Sequence, residues 1–251
     1  MDREVVQAID RVIHEIHRNL GERITIDDMA RIAMFSKFHF TRLFQRVTGI
    51  PPARFLYAVR LQEAKRLLLS TSLTVTEIST MIGYSSLGTF STRFKSCVGL
   101  SPTAYRELRG FTPQIPTDDG RRTRGHTVTI RGRVRLQSPA VHDPVFLGVF
   151  PEPIAQGSPI RCAFLRRPGP FVLDRVPQGT WYLLAQAVRA ESETGLDDGP
   201  PNIGVHGPLS VRPGSVHTAI DLRLRPSRPL DPPVLLALLD VRQKALSASA
   251  I

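Results

Sequence analysis

Cysteine is scarce in this chain: Cys97 and Cys162 are the only two among 251 residues, one in each half. Two thiols so placed cannot supply a disulfide framework, so both read as packed thiols and a reducing cytoplasm is the expected setting. Long apolar runs are missing as well. No uninterrupted stretch reaches the roughly 18 residues of a bilayer-spanning helix, and the opening Met1-Asp2-Arg3-Glu4 is charged where a secretory signal would be apolar. A membrane partner is therefore not expected. Acidic residues are outnumbered, 22 Asp and Glu against 33 Lys and Arg, leaving a formal charge of +11 that divides as +6 up to Gly110 and +5 beyond it. Such an excess informs about partners rather than fold, and nucleic acid is the natural polyanion. Proline is rare before residue 111, where only Pro51, Pro52 and Pro102 occur; the remaining 18 of the 21 prolines, and 12 of the 18 glycines, come later. The change in composition predicts two architectures, a helical one followed by a strand-rich one.

What is present in the first 110 residues is a pattern written twice. Ser36, Phe40, Phe44, Gly49 and Pro52 recur fifty places on as Ser86, Phe90, Phe94, Gly99 and Pro102. Ahead of them, Val5, Ile9, Val12, Ile13 and Ile16 fall at helical spacing, and Asn19 to Gly21 end that helix. Thr25 with Asp28, and Thr74 with Glu77, form capping boxes opening short helices at 27–33 and 75–82. Each short helix ends in a turn. Gly83 suits a left-handed turn residue, and Met34, in the equivalent place, suits it less well. Ser36 and Ser86 are then placed to cap longer helices with buried stripes of Phe40, Leu43, Phe44 and Val47, and of Phe90, Phe94 and Val98. A helix-length apolar pattern from Pro52 to Leu69 joins the two units, and seven helices are expected in all. Paired helix-turn-helix units have one evident use, placing two recognition helices in successive major grooves of a duplex.

The runs Phe35-Ser-Lys-Phe-His-Phe-Thr-Arg-Leu-Phe-Gln-Arg-Val-Thr-Gly49, Arg60-Leu-Gln-Glu-Ala-Lys-Arg-Leu-Leu68 and Ile82-Gly-Tyr-Ser-Ser-Leu-Gly-Thr-Phe-Ser-Thr-Arg-Phe-Lys95, with Gly99-Leu-Ser-Pro-Thr-Ala-Tyr105, resemble the DNA-binding domain of AraC/XylS-type transcriptional regulators. The resemblance covers about residues 5 to 109. It implies an asymmetric DNA site, with Phe38, Thr41 and Arg42 toward the first groove and Thr89, Thr92 and Arg93 toward the second. Arg42 is the foremost base-reading candidate, because a guanidinium can contact guanine O6 and N7 together. Lys37, Arg46, Arg93 and Lys95 suit phosphate contacts, which give affinity without sequence information. Leu87 and Gly88 offer little to a base edge, so the first unit is expected to carry most of the direct readout.

Residues 111–125 read as a polar linker and 126–251 as a β-sandwich for sensing or assembly, following a DNA-binding domain at 1–110. Strands are expected at 127–137, 145–150, 160–166, 171–176, 180–188, 203–211 and 216–224, with turns such as Arg167-Pro-Gly-Pro and Pro177-Gln-Gly between them. Seven short strands indicate an antiparallel sandwich. The stretch Phe171 to Ala185, preceded by Ile130-Arg-Gly-Arg-Val134, bears some resemblance to transthyretin-like or carboxypeptidase-regulatory sandwiches. The Arg131, Arg133, Arg135 stripe reads first as a solvated or edge-protecting strand face, with a grip on DNA or an acidic partner as the alternative. Of Trp181 and Tyr182, one belongs to the core and the other to a pocket or dimer surface. The tail from Pro232 to Leu246 is apolar enough to dock on the sandwich or to mediate dimerisation.

His142, Asp143, His206, Ser210, Ser215 and His217 do not assemble into a nucleophile with its base and orienting group, so no enzyme is expected. His14 and His17 lack a third and fourth ligand nearby, so neither a metal nor a cofactor is expected. His39, inside the first recognition helix, reads as a packing or phosphate-contacting residue. The resulting expectation is a double-stranded-DNA-binding transcription regulator of mixed architecture, all-α then antiparallel β. RNA polymerase, a small-molecule effector and a second copy of the chain are its further partner classes. The rival expectation is a constitutive architectural DNA-binding protein whose β domain only oligomerises.

Overall fold

A computed structural model describes residues 2–112, 115, 127–136, 144–187, 200–213 and 217–239. The chain divides into two compact units. One comprises residues 1–110 with Arg228–Leu235; the other comprises Phe111–Ser227 with the remainder of the C-terminus.

Among its described residues the first unit holds seven helices: α1 (Arg3–Arg18), α2 (Ile26–Ala33), α3 (Lys37–Thr48), α4 (Pro52–Ser70), α5 (Val75–Met81), α6 (Leu87–Val98) and α7 (Pro102–Glu107). Both capping boxes form: the hydroxyls of Thr25 and Thr74 accept from the amides of Asp28 and Glu77, whose carboxylates answer to the cap amides. Those bonds hold both carboxyls below the usual carboxylate range, chiefly through the hydroxyl of Thr25 for Asp28 and the amide of Thr74 for Glu77. Ser86 caps α6 by accepting from the Thr89 amide, but Ser36, at the corresponding position, makes no side-chain cap bond to α3. Gly49 and Gly99 end α3 and α6 in left-handed conformations at φ 85° and 92°.

The fifty-residue repeat extends into the core. Phe40, Phe44 and Phe55 contact edge-on in series at 5.5 and 5.4 Å, and Phe90, Phe94 and Tyr105 form the matching series at 5.6 and 5.6 Å, tilted in the first pair and edge-on in the second. Each such pair adds about 0.5 to 1.5 kcal/mol beyond its buried area. Pro52 and Pro102 each sit in the first turn of the helix that carries the third ring, where a missing N–H costs nothing.

In the second unit the strands are β1 (Phe111–Thr112), β2 (Thr127–Leu136), β3 (Val145–Phe150), β4 (Arg161–Leu165), β5 (Pro170–Pro177), β6 (Gly179–Ala187), β7 (Asn202–Val211), β8 (His217–Pro226) and β9 (Leu238–Leu239). All seven expected strands are found within two residues of their expected ends. Their assembly is not the expected antiparallel sandwich. One seven-stranded sheet runs in the order β4-β3-β6-β7-β8-β2-β5, and its terminal strands β4 and β5 approach each other, so the sheet is nearly closed and barrel-like. The pair β2–β8 is parallel. Two features turn the sheet. Between β7 and β8 the pairs among the described residues are Asn202 with Pro226 and Ile203 with Arg225. Between β5 and β6 the single residue Gln178 makes a corner rather than a hairpin, since β5 pairs with β2 while β6 pairs with β3 and β7. Gly179 at φ 150° permits that corner: a Cβ there would lie 2.8 Å from the Trp181 ring. Trp181 is the core member of its dipeptide, and its indole N–H donates to the Pro177 carbonyl at 2.7 Å.

The sheet interior is filled from every long strand, including Ile130, Val134, Leu147, Leu173, Leu183 and Leu222. The tail read from sequence as one apolar dock is divided. Residues 228–235 belong to the helical unit, whereas Leu236 donates to the Ala155 carbonyl and β9 pairs in parallel with β1. Most of the expected linker, together with His142, Asp143, Ser215 and the end of the tail, lies outside the described residues.

Candidate nucleic-acid interface

Helix α3 buries Phe40, Leu43 and Phe44 and turns its other faces outward. Lys37, Phe38, His39, Arg42, Gln45 and Arg46 are exposed, and Phe38 is 88% accessible. Burial of three large apolar side chains fixes the helix, so the phenyl ring of Phe38 is displayed outward, with no ring contact among the described residues. Arg42 and Arg46 have no ion-pair partner among the described residues and are available to an anion. Lys37 is engaged, its ammonium 2.9 Å from the Asp27 carboxylate on α2, an exposed pair of small worth that a phosphate could replace. The Thr41 hydroxyl donates to the Lys37 carbonyl at 2.9 Å, leaving its oxygen lone pairs as the free function. His39 is exposed, with its ring edge-on to Phe35 at 5.2 Å.

The second reader, α6, is different. Thr89, Thr92 and Lys95 are exposed together with Leu87 and Gly88. Arg93 is not free in the same way: it is half-buried, and its guanidinium lies over the Tyr57 ring at 4.2 Å from the centroid. The fifty-residue offset explains this, because Arg93 takes the place of Leu43, a buried position in α3. Its stem and charge therefore brace α6 against α4 through a cation–π contact of about 0.5 to 2 kcal/mol. Beside it, burial raises the Tyr84 phenol above its ordinary value while Arg93 opposes the shift.

The two turns also differ. Between α2 and α3 run Met34 and Phe35, with Met34 in the left-handed region at φ 60° and 84% exposed. Between α5 and α6, Gly83 takes that conformation at φ 80° and Ser85 is an additional residue. The offset is accordingly 49 from Thr25 to Thr74 and 50 from Ser36 to Ser86.

Sequence reading missed what joins the readers. Arg60 lies inside α4 and is buried; its guanidinium donates to the carbonyls of Leu20 at 2.9 Å, Glu22 at 2.6 Å and Gly83 at 3.3 Å. One side chain thus ties the loop after α1 to the turn between α5 and α6. The signal was a charge in the apolar run Val59-Arg60-Leu61. Arg106 acts similarly, donating to the carbonyls of Leu68 and Leu73 at 3.0 and 2.6 Å. Lys65, half-buried on α4, donates to the Val234 carbonyl at 2.9 Å, and the desolvation of its ammonium lowers the pKa to about 8.

Among the described residues no group of three or more His, Cys, Asp or Glu could hold a metal ion, and no helix is long and apolar enough to cross a membrane.

Residues 29–108 match the helix-turn-helix domain family. The chain is 33% identical over 98 residues to the HTH-type transcriptional activator AarP of Providencia stuartii, a match spanning 39% of this chain and 73% of AarP. It is 34% identical over 91 residues to an uncharacterized HTH-type transcriptional regulator, YobQ, of Bacillus subtilis, covering 36% of this chain and 38% of YobQ. A solved transcriptional regulator with an AraC-type DNA-binding domain from Chromobacterium violaceum is 25% identical, covering 41% of this chain and 91% of that one, at a TM-score of 0.39. The helix-turn-helix match over residues 29–108 and the kinship with AarP, 73% of which is covered, show that the chain belongs to the AraC family of DNA-binding transcriptional regulators.

Proposed function

We propose that the protein regulates transcription by laying α3 and α6 into successive major grooves on one face of a duplex, with α3 as the principal base reader. The observation that carries this reading is the pairing of two helix-turn-helix units through one continuous helix. Nineteen residues of α4 span about 28 Å at 1.5 Å per residue, close to the roughly 34 Å of one duplex turn. In this reading Phe38 meets a thymine methyl, Arg42 reads a guanine edge, and Lys37, Arg46 and Lys95 neutralise phosphates. Thr89 and Thr92 supply the second unit's shorter-range contacts. Arg93 serves by holding α6 in place and not as a primary phosphate ligand. The domains fall at 1–110, with the 228–235 segment added, and at the β unit that follows; the β unit modulates the reader through an effector, a second copy of the chain or RNA polymerase.

The deciding experiment is selection of genomic fragments by the purified protein at fixed salt, followed by footprinting. A shared asymmetric site with two protected segments about one helical turn apart supports the reading. Uniform recovery of fragments would overturn it and leave charge-driven binding alone.

A further inference from the structure

The outward face of β2 and its neighbours carries a charge that the helical reader does not use. The described residues of the strand unit include ten arginines and no lysine, against three carboxylates, Glu152, Asp174 and Asp221. On β2, Ile130 and Val134 are buried while Arg131, Arg133 and Arg135 are exposed. Arg133 stands beside Asp221 and Arg135 beside Arg223 on β8. Asp221 is shared between Arg135 at 2.9 Å and Arg223 at 3.1 Å, and Asp174 accepts from the Thr129 hydroxyl at 2.8 Å. Arg131 and Arg133 have no ion-pair partner among the described residues. The turn from β4 to β5 is stitched to β2 by the Val134 amide donating to the Gly169 carbonyl at 2.8 Å, which brings the exposed Arg166 and Arg167 to the same end of the strand.

Edge protection does not account for this face, because β2 lies inside the sheet between β8 and β5. Solubility does not require one sign, and guanidiniums on neighbouring strands repel. Arginine without lysine is the choice suited to paired contacts with phosphate oxygens. Two residues advance a strand by about 6.6 Å, close to two base-pair steps of about 3.4 Å, so successive guanidiniums on β2 match the repeat of a duplex backbone. Resting on the reading that the helical unit binds duplex DNA, we infer that this face is a second, sequence-independent contact for the DNA sugar-phosphate backbone. Attached to a reader already on the duplex, it meets phosphate at high effective concentration.

The test uses the full-length protein and a random-sequence duplex of about 60 base pairs, titrated by fluorescence anisotropy from about 50 to 200 mM salt. The variants are Arg131→Gln/Arg133→Gln/Arg135→Gln and the same three positions changed to Lys, each checked for folding by Trp181 emission. The Gln variant is expected to bind about ten-fold or more weakly near 0.1 M salt, with a log–log salt slope shallower by about 2 to 3, and the Lys variant to keep most of both. A folded Gln variant with unchanged affinity and slope overturns the inference, as does a Lys variant that loses as much as the Gln one. Loss of polyglutamate binding with duplex binding intact also overturns it and assigns the face to an acidic protein. If the unaltered protein does not bind the duplex, the reading of the helical unit falls first; if it binds and the Gln variant matches it, only this inference falls.

Discussion

Single side chains decide how well the two reading units are built. Met34 and Gly83 perform the same turn, but Met34 adopts φ 60° with a Cβ and is almost fully exposed, so it contributes strain without packing. Met34→Gly should therefore raise stability by about 1 kcal/mol in urea unfolding, and a loss of stability would show that the methionine packs. Gly83→Ala should do the reverse. The new Cβ would lie 2.7 Å from the Arg60 guanidinium and 2.8 Å from the Leu20 carbonyl, at a φ of 80°. Lys65 gives a pH signature. Its ammonium pKa falls from 10.5 to about 8, so the charged form is disfavoured in the fold. Below pH 8 folded and unfolded chains both carry the proton and the penalty is constant. Between 8 and 10.5 the unfolded chain binds more protons, and this group's contribution to stability rises with pH. The stability difference between the native protein and Lys65→Met should move in the native protein's favour across that window; parallel curves would contradict the assignment.

At the scale of the helix, α3 and α6 share a scaffold and differ in what they display. Arg42→Ala should relax base preference at one position of the site by about 1 to 3 kcal/mol, whereas Lys37→Ala should weaken all sequences about equally and flatten the salt dependence. Selection of randomised duplexes with each variant checks both, and identical preference profiles for Arg42→Ala and the native protein would remove Arg42 as a reader. Much of this was legible in the sequence, because capping boxes, apolar stripes and glycine caps are local devices whose partners lie within four residues. Arg93 was not. Helical spacing alone puts it beside the exposed Thr89 and Thr92, but its half-burial against Tyr57 depends on a helix packed from elsewhere in the chain. Arg60 was hidden for the same reason, since all three of its acceptors are 23 or more residues away. The strands were equally local and so were found. Their partners were not, because period-two alternation is the same for a sandwich and a barrel, each having one face inside. Turn signals report hairpins and are silent about the parallel pair β2–β8.

For the molecule as a whole, the composition break near residue 110 marks a change of architecture without marking every crossing of the chain. Residues 228–235 return to the helical unit, where Val234 accepts from Lys65 and Leu235 is buried. A fragment ending at residue 112 should therefore fold but unfold more easily than the same unit in the full chain, by about 1.5 to 3 kcal/mol for the lost leucine burial. Hydrogen exchange along α4 measures this, and equal protection in fragment and full chain would show the segment to be dispensable. Doubling a fold usually invites a doubled target, and here the added Ser85 prevents it. With a residue more in one turn, and a threonine at position 92 where its counterpart has Arg42, the two halves cannot exchange places on a symmetric sequence. On the proposed reading, a protein so built has a direction on its site, and turning that site around beside a gene would point everything attached to the reader the other way.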